Sequence, residues 1–392
     1  MAPWYGAYAL VGLLVNGLVP LLLPLTAAPR GPVVVSLVVA AFFAGQLTAP
    51  IVGGYADRRG VQRAVFLGSF PVMAAGAVTL GLAEQTAIWI VAAAVAGAAA
   101  GAAQTTASVF VVEGHPAEEW DQLIGWFRMV FGVGQVAGLL IGAIFADGRI
   151  ELGWIISGAV ILVGALVGRI GLPHLQRVIQ PRRRAGVGRR RDAVDVLRSR
   201  FGVFLLTWLV AMIGVQSFLN LLPLVMREAF GVQPSTTALL YLAGSFVGVF
   251  LYPVCGQIAT RRTNRFVLAV GLLANLAAFT VMTATLLIDG GSKGALAAIA
   301  LVTVAVAYPF DYIGATLMAA VLAPPGGEGA AMGLFNSAVA AGAVIGTLAA
   351  SPLAKSIGYD AIPPLAAVMV LLALLVGARL LFGRPSPTTG QT

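Results

Sequence analysis

Two ionisable side chains lie inside long apolar runs of the sequence, where a charge without a partner is costly. Arg128 lies in the run 122–146 and Asp311 lies in the run 295–322. At the helical rise of 1.5 Å per residue, Arg128 lies about 9 Å from the start of its run, and Asp311 lies about 16 Å from the end of its run. That start and that end face the same side of the membrane. An ionisable group in an apolar span indicates function by default. We expect Asp311 to carry a proton and Arg128 to act with it across a cavity; a fixed ion pair is the alternative.

The other polar side chains in these runs are mainly amides and phenols. A cavity of this kind suits a neutral or polyhydroxylated ligand, or a modest amphiphile; helix–helix hydrogen bonds are the alternative use. The expected cavity residues are Asn16, Gln46, Gln104, Gln216, Asn220, Tyr241, Tyr308, Tyr312 and Asn336.

Composition excludes several classes of protein. Of the 392 residues, 59% are hydrophobic and 10% are charged, whereas soluble domains carry roughly 25% charged residues. A water-soluble enzyme and a nucleic-acid-binding chain are therefore excluded. One cysteine and two histidines offer no metal site. There is no phosphate-binding loop and no nucleophile–base set, so we expect no cofactor and no catalysis.

Twelve apolar runs are long enough to cross a bilayer as helices. Their continuous apolar character excludes a barrel of alternating strands, so the predicted fold class is all-α with twelve transmembrane helices. The runs are 4–26, 32–54, 64–83, 87–112, 122–146, 152–172, 201–226, 235–258, 266–288, 295–322, 332–352 and 361–382.

The basic residues predict the orientation. With a cytoplasmic N-terminus, eighteen Lys and Arg fall in cytoplasmic segments and five fall outside, which favours two cytoplasmic termini. The first run is too long for a signal peptide and is expected to be retained. The expected domains are residues 1–172 and 201–382, followed by a cytoplasmic tail, 383–392. The basic linker 173–200 is expected to lie on anionic lipid headgroups.

The two halves repeat one another. A shift of 203 residues aligns the second run with the eighth, including Gly45 with Gly248 and the Arg pair 58–59 with the pair 261–262. A shift of 208 aligns Gly134 with Gly342 and Gly138 with Gly346. The matched runs lie six helices apart, so both halves cross the membrane in the same direction. Such halves are related by a pseudo-two-fold axis along the membrane normal.

The loop 53–63, with sequence GGYADRRGVQR, resembles the loop motif of the major facilitator superfamily, and the twelve runs extend this resemblance over essentially the whole chain. The glycines of the fifth and eleventh runs resemble those of bacterial drug and sugar efflux transporters. The resemblance implies a cytoplasmic gate, in which Asp57 faces the start of the eleventh helix and nearby arginines meet acidic residues. The expected gate residues are Gly53, Asp57, Arg58, Arg59, Gly60, Arg63, Glu113, Arg261 and Arg262.

The expected function is export of a small organic molecule, drug-like or sugar-like, by alternating access with proton antiport. The expected setting is a bacterial cytoplasmic membrane, and the expected state is a monomer. One alternative is a sugar-like importer or uniporter in which Asp311 is purely structural. Another is a membrane receptor or scaffold that binds a ligand without moving it.

Overall fold

The computed structural model describes residues 4–112, 120–172, 199–288, 292–323 and 328–382. Within these ranges, the side chains at 57, 111–112, 120–124 and 328–330 are left out of the description. The linker 173–198 and the tail 383–392 lie outside it.

Twelve helices are long and apolar enough to cross a membrane, which confirms the predicted number and the all-α class. We number them α1 to α12. Their bounds are α1 Trp4–Arg30, α2 Pro32–Gln46 with Ala49–Arg59, α3 Gln62–Leu82, α4 Thr86–Val112, α5 Trp120–Phe145, α6 Ile150–Arg169, α7 Arg200–Leu219 with Leu222–Phe230, α8 Pro234–Arg261, α9 Asn264–Thr285, α10 Ser292–Leu322, α11 Glu328–Ser356 and α12 Tyr359–Phe382.

Glycine and π-helical geometry shape two places that matter for function. Gly60 ends α2 in the left-handed region, with φ 65°, a conformation that glycine adopts without steric cost. The middle of α1 widens into a π-helical turn, Leu13–Leu18, which contains Asn16. Such turns occur often at functional sites.

The internal repeat is visible in how equivalent glycines pack. Gly134 and Gly138 of α5 face the backbone of α1, at Ala9 and Leu13. Their counterparts Gly342 and Gly346 of α11 face α7, at Met212 and Ile213. In lipid, such small residues let helices approach closely and gain dispersion energy. Each half therefore builds its fifth helix on its first helix in the same way.

The two halves meet along two pairs of helices, α2 with α11 and α5 with α8. The contact of α11 runs along Pro32–Gln46 of α2, whereas the segment Ala49–Arg59 packs mainly on α4 within its own half. The second parts of α1 and α7 also touch. There, residues 17–25 of α1 and 217–226 of α7 are all buried. The halves are thus closed at the face opposite the chain termini and separate toward the face that carries the termini, which we call the termini face.

We predict that Gly134→Ala destabilises the fold, because a methyl group there would overlap the backbone of Ala9. Overpacking of this kind costs about 1–3 kcal/mol. The matched control is Gly68→Ala in α3, where a methyl group meets nothing within 4 Å. Thermal unfolding of the purified variants should show a lowered midpoint for Gly134→Ala alone. Equal midpoints would contradict close α1–α5 packing.

Candidate transport site

A polar network joins the two halves at mid-membrane. The Asn16 amide of α1 donates to Gln135 Oε1 of α5 at 3.4 Å and to the Tyr308 hydroxyl of α10 at 3.5 Å. Gln135 Nε2 in turn donates to Ser245 Oγ of α8 at 3.0 Å. Polar groups need partners inside a membrane protein because the hydrocarbon offers none. The network therefore links α1, α5, α8 and α10 across the interface between the halves.

A small cavity lies beside this network and is enclosed by both halves. Five of the residues expected in a solute cavity line it together with apolar side chains: Asn16, Gln216, Asn220, Tyr241 and Tyr308. Asn220 Nδ2 donates to Thr347 Oγ1 of α11 at 2.8 Å, while its Oδ1 is buried without a partner. The cavity thus offers an unused acceptor.

A crevice leads from the termini face toward this centre. Asn336 of α11 is exposed, yet it lies about 200° around the helix from the exposed Leu334, at 100° per residue. The exposed Leu348 lies on the same side of α11 as Leu334. Exposed leucines suit that side of the helix to contact with lipid. Ala343, about two helical turns farther along the Asn336 side, is fully buried. Asn336 therefore opens onto a space between helices that closes toward the opposite face.

Arg128 lies between the halves and has no carboxylate partner among the side chains that the structure describes. Its guanidinium carbon sits 4.4 Å from the centre of the Tyr312 ring of α10. Three further tyrosines, Tyr8 of α1, Tyr252 of α8 and Tyr308 of α10, lie close enough to interact with it electrostatically. Its Nε is buried without a hydrogen-bond partner. The pairing with Asp311 that the sequence suggested is not present in this structure.

Asp311 instead faces α9, away from the crevice. Its Oδ2 accepts a short hydrogen bond from Asn275 Nδ2. The carboxylate is packed against Gly271, where an added methyl group would collide with it. Tyr312, the next residue along α10, points toward Arg128 because successive helical residues are rotated by about 100°. Asp311 and Arg128 therefore belong to different environments.

Three remaining cavity candidates lie apart from the enclosed cavity. Gln46 of α2 has a buried Nε2 without a partner. Gln104 of α4 is partly exposed and bonds only weakly to the Ala100 carbonyl, at 3.5 Å. Tyr312 packs edge-on against Phe335 and beneath Arg128. In the described parts of the chain, no group of metal-ligating side chains is present.

The motif loop makes its described contacts within the first half. Arg63 donates to the carbonyls of Leu172 and Arg169, at 3.3 and 3.4 Å. Arg59 lies over the ring of Tyr55 at 5.6 Å, and Gly53 packs closely on Thr105 of α4. Arg58, Arg261 and Arg262 are exposed. Glu113 and the side chain of Asp57 lie outside the described residues.

At the opposite face, a carboxylate of one half caps a helix of the other. Asp147 Oδ1, in the turn between α5 and α6, accepts from the backbone N–H of Ser235 at 3.1 Å. Ser235 is the second residue of α8, whose first N–H groups lack partners within the helix. An anion at a helix N-terminus is stabilising, so this contact favours closure of that face.

Sequence reasoning did not select Gln135, Asn275, Asp147 or the tyrosines Tyr8 and Tyr252. Gln135 stands beside Gly134 in the small-residue stretch of α5, so its central position was a usable signal. Asn275 is a lone amide in the apolar run of α9, which also could be noticed. No local pattern identifies Asp147 as a cap, because its partner lies 88 positions away along the chain.

The fold and this inter-half site define a polytopic membrane transporter built from two six-helix bundles. The family model of the Major Facilitator Superfamily matches residues 4–325, and the chain belongs to this superfamily. A mutant of the nucleoside transporter NupG superposes with a TM-score of 0.76 at 11% identity, covering 96% of this chain and 98% of that chain. A D-xylose-proton symporter superposes at 0.75 with 14% identity, covering 95% and 96%. Curated protein sequences gave no significant match.

We predict that Asp147→Asn shifts the protein away from the form that is closed at the opposite face. The probe is Asn336→Cys in a Cys255→Ser background, labelled by a membrane-impermeant maleimide from the termini face. Because opening one face of the interface closes the other, Asp147→Asn should slow labelling. The charge of an anion at a helix N-terminus is worth about 0.3–1 kcal/mol, which corresponds to a change in rate of up to about fivefold.

Two controls make this labelling test specific. Asp360→Asn removes an exposed carboxylate without a hydrogen-bond partner in the described structure and should leave the rate unchanged. Ala343→Cys, buried on the same side of α11, should label more slowly than Asn336→Cys. Equal rates for the Asp147 and Asp360 variants would contradict the role of the cap.

Proposed function

We propose that this chain moves a small polar organic solute across a membrane by alternating access, with the solute bound where Asn16, Tyr308 and Asn220 meet. The observation that carries the proposal is the polar network and cavity shared by both halves at the end of a one-sided crevice. A site at the interface between two rocking halves can be exposed to either side in turn.

The chemistry of the cavity suggests the class of solute. Its lining combines three amides and two phenols with apolar side chains such as Val15 and Phe43. Amides and hydroxyls donate and accept, so they match hydroxyl-rich molecules or a small amphiphile. The unused Asn220 Oδ1 is available to a solute hydroxyl. The nucleoside and D-xylose named for the two structural neighbours are polar solutes of this kind.

The basic residues support the orientation of the crevice. The termini face carries the excess of Lys and Arg, so we place it in the cytoplasm of a bacterial cell, with the linker 173–200 on anionic headgroups. The crevice then opens to the cytoplasm in this structure. The two halves of a single chain enclose the cavity, which supports a monomer as the unit that transports the solute.

There are two candidates for the energy source and the direction of transport. Export by proton antiport needs a titrating group that faces the crevice, and Asp311 was the sequence-based choice. The packing of Asp311 between α9 and α10, with Asn275 as its partner, supports a structural role. This favours the second candidate, a sugar-like importer or uniporter that does not use Asp311 for coupling.

The test is counterflow in proteoliposomes that contain the purified chain, with labelled D-xylose and labelled uridine as probes. We expect at least one labelled solute to accumulate against its unlabelled form without a pH gradient. Asn220→Leu should reduce this flux at least several-fold, because it removes the amide from the cavity. Binding without flux for both probes would favour the receptor alternative. A flux that appears only with a pH gradient would favour proton coupling over the uncoupled importer or uniporter.

We predict that Asp311→Asn keeps the flux within about twofold of the wild type and leaves its pH profile unchanged. An asparagine carbonyl still accepts the hydrogen bond from Asn275, and the amide fits the same space beside Gly271. Asn275→Leu should lower the unfolding midpoint, since a buried acceptor without a partner costs about 1–3 kcal/mol. Loss of pH-dependent transport in a well-folded Asp311→Asn protein would restore Asp311 as the proton carrier.

A further inference from the structure

We infer that Arg128 is the binding site for the carboxylate of an organic solute that carries a single negative charge. This inference rests on the proposed function and specifies its class of substrate. The observation behind it is a guanidinium between the two halves, within the crevice region, that has no anionic partner among the described residues.

The guanidinium is incompletely satisfied. Its Nε is enclosed and bonds to nothing. Its two terminal nitrogens make no hydrogen bond with the described residues, and the side chain is partly accessible. Taking an arginine out of water is costly unless it gains an opposite charge and hydrogen bonds. The cation–π contact with Tyr312 offsets only a part of that cost. A group that binds at the terminal nitrogens would complete the site.

The surroundings favour an anion over a neutral group. Among the described side chains in the central parts of the spans, Asp311 is the one carboxylate, and it faces α9 with Asn275 as its partner. The centre of the protein is therefore net positive near Arg128. Low-dielectric walls focus such a potential and concentrate ligands of opposite charge. Arginine binds carboxylates through two parallel hydrogen bonds, in which its nitrogens donate.

The single positive charge of Arg128 favours a solute with one negative charge over a solute with two. Arg128 is the one cation within the central part of the described spans, so a carboxylate leaves the occupied site neutral. A phosphate monoester with two charges would leave an unbalanced negative charge in the membrane interior, which is costly. The four surrounding tyrosines, Tyr8, Tyr252, Tyr308 and Tyr312, supply hydroxyls and ring faces for the body of the solute. Hydroxylated carboxylates, such as sugar acids, match this combination.

The test compares sugar acids with their neutral counterparts. The probes are D-gluconate and D-glucuronate against D-glucose, added to the purified protein in a buffer free of other carboxylates. We expect at least one acid to raise the unfolding midpoint more than D-glucose does. Arg128→Gln should weaken the binding of that acid about ten- to a hundredfold, the range for a hydrogen bond to a charged group. Arg128→Lys should recover part of it, because the charge stays while the planar pair of donors is lost.

The stability of the protein without ligand separates a binding role from a structural one. If Arg128 is kept for a ligand, Arg128→Gln should unfold at the same or a higher temperature, since it removes a charge without a partner. A fall of several degrees would mean that the cation–π contact holds the fold, and it would overturn the inference. Arg379→Gln, which removes an exposed arginine at the end of α12, is the matched control and should behave as the wild type.

The outcomes also distinguish this inference from the proposed function. Equal responses to the acids and to D-glucose, or binding that is unchanged in Arg128→Gln, would overturn the carboxylate site. Transport of D-xylose or uridine by the same preparation would then leave the proposed function in place. Conversely, binding of an acid that depends on Arg128, without flux of any probe, would support the carboxylate site and overturn transport.

Discussion

The structure depends on one constraint: hydrocarbon supplies no hydrogen-bond partner, so every polar group at mid-membrane must find one within the protein or face water. Asp311 meets this constraint in part through Asn275, a neighbour in its own half, while its Oδ1 is buried without a partner. Asn16, Gln135 and Ser245 meet it by bonding across the interface between the halves. Arg128 meets it only in part, through Tyr312 and the crevice. These groups therefore differ in whether their partners come from their own half or from across the interface.

The number and order of the helices were predictable because a bilayer requires about 20 apolar residues for each crossing, and breaks between the runs carry charges, glycine or proline. The internal repeat was predictable for a related reason. Gly134 and Gly342, matched by a shift of 208 residues, both serve as contact points between the first and fifth helices of their halves. Close helix contact in lipid demands small residues, so such positions leave a trace in the sequence.

The direction in which each side chain points was not predictable to the same extent. Helix α10 is apolar almost all round, so its sequence contains no strong amphipathic signal that fixes its rotation about the helix axis. Asp311 and Arg128 lie at similar depths, and depth alone suggested a pair. A rotation of one residue in α10 decides that Tyr312, rather than Asp311, meets Arg128. The contact of Asp147 with Ser235 was not predictable either, because the two residues lie 88 positions apart and share no local sequence pattern.

Different contacts hold the closed face and the centre of the interface between the halves. This difference affects how one half can rock against the other. At the closed face, apolar packing between α1 and α7 is joined by the cap from Asp147 to α8. At mid-membrane, the hydrogen bonds from Asn16 are long, at 3.4 and 3.5 Å, so breaking them costs little. A rocking motion needs contacts that are individually weak and can be exchanged. If the contacts of one state were much stronger than those of the other, the free-energy difference would leave the second state unpopulated. The weak central network and the exchangeable cap meet that requirement, whereas the tight glycine contacts within each half keep the halves rigid while they move.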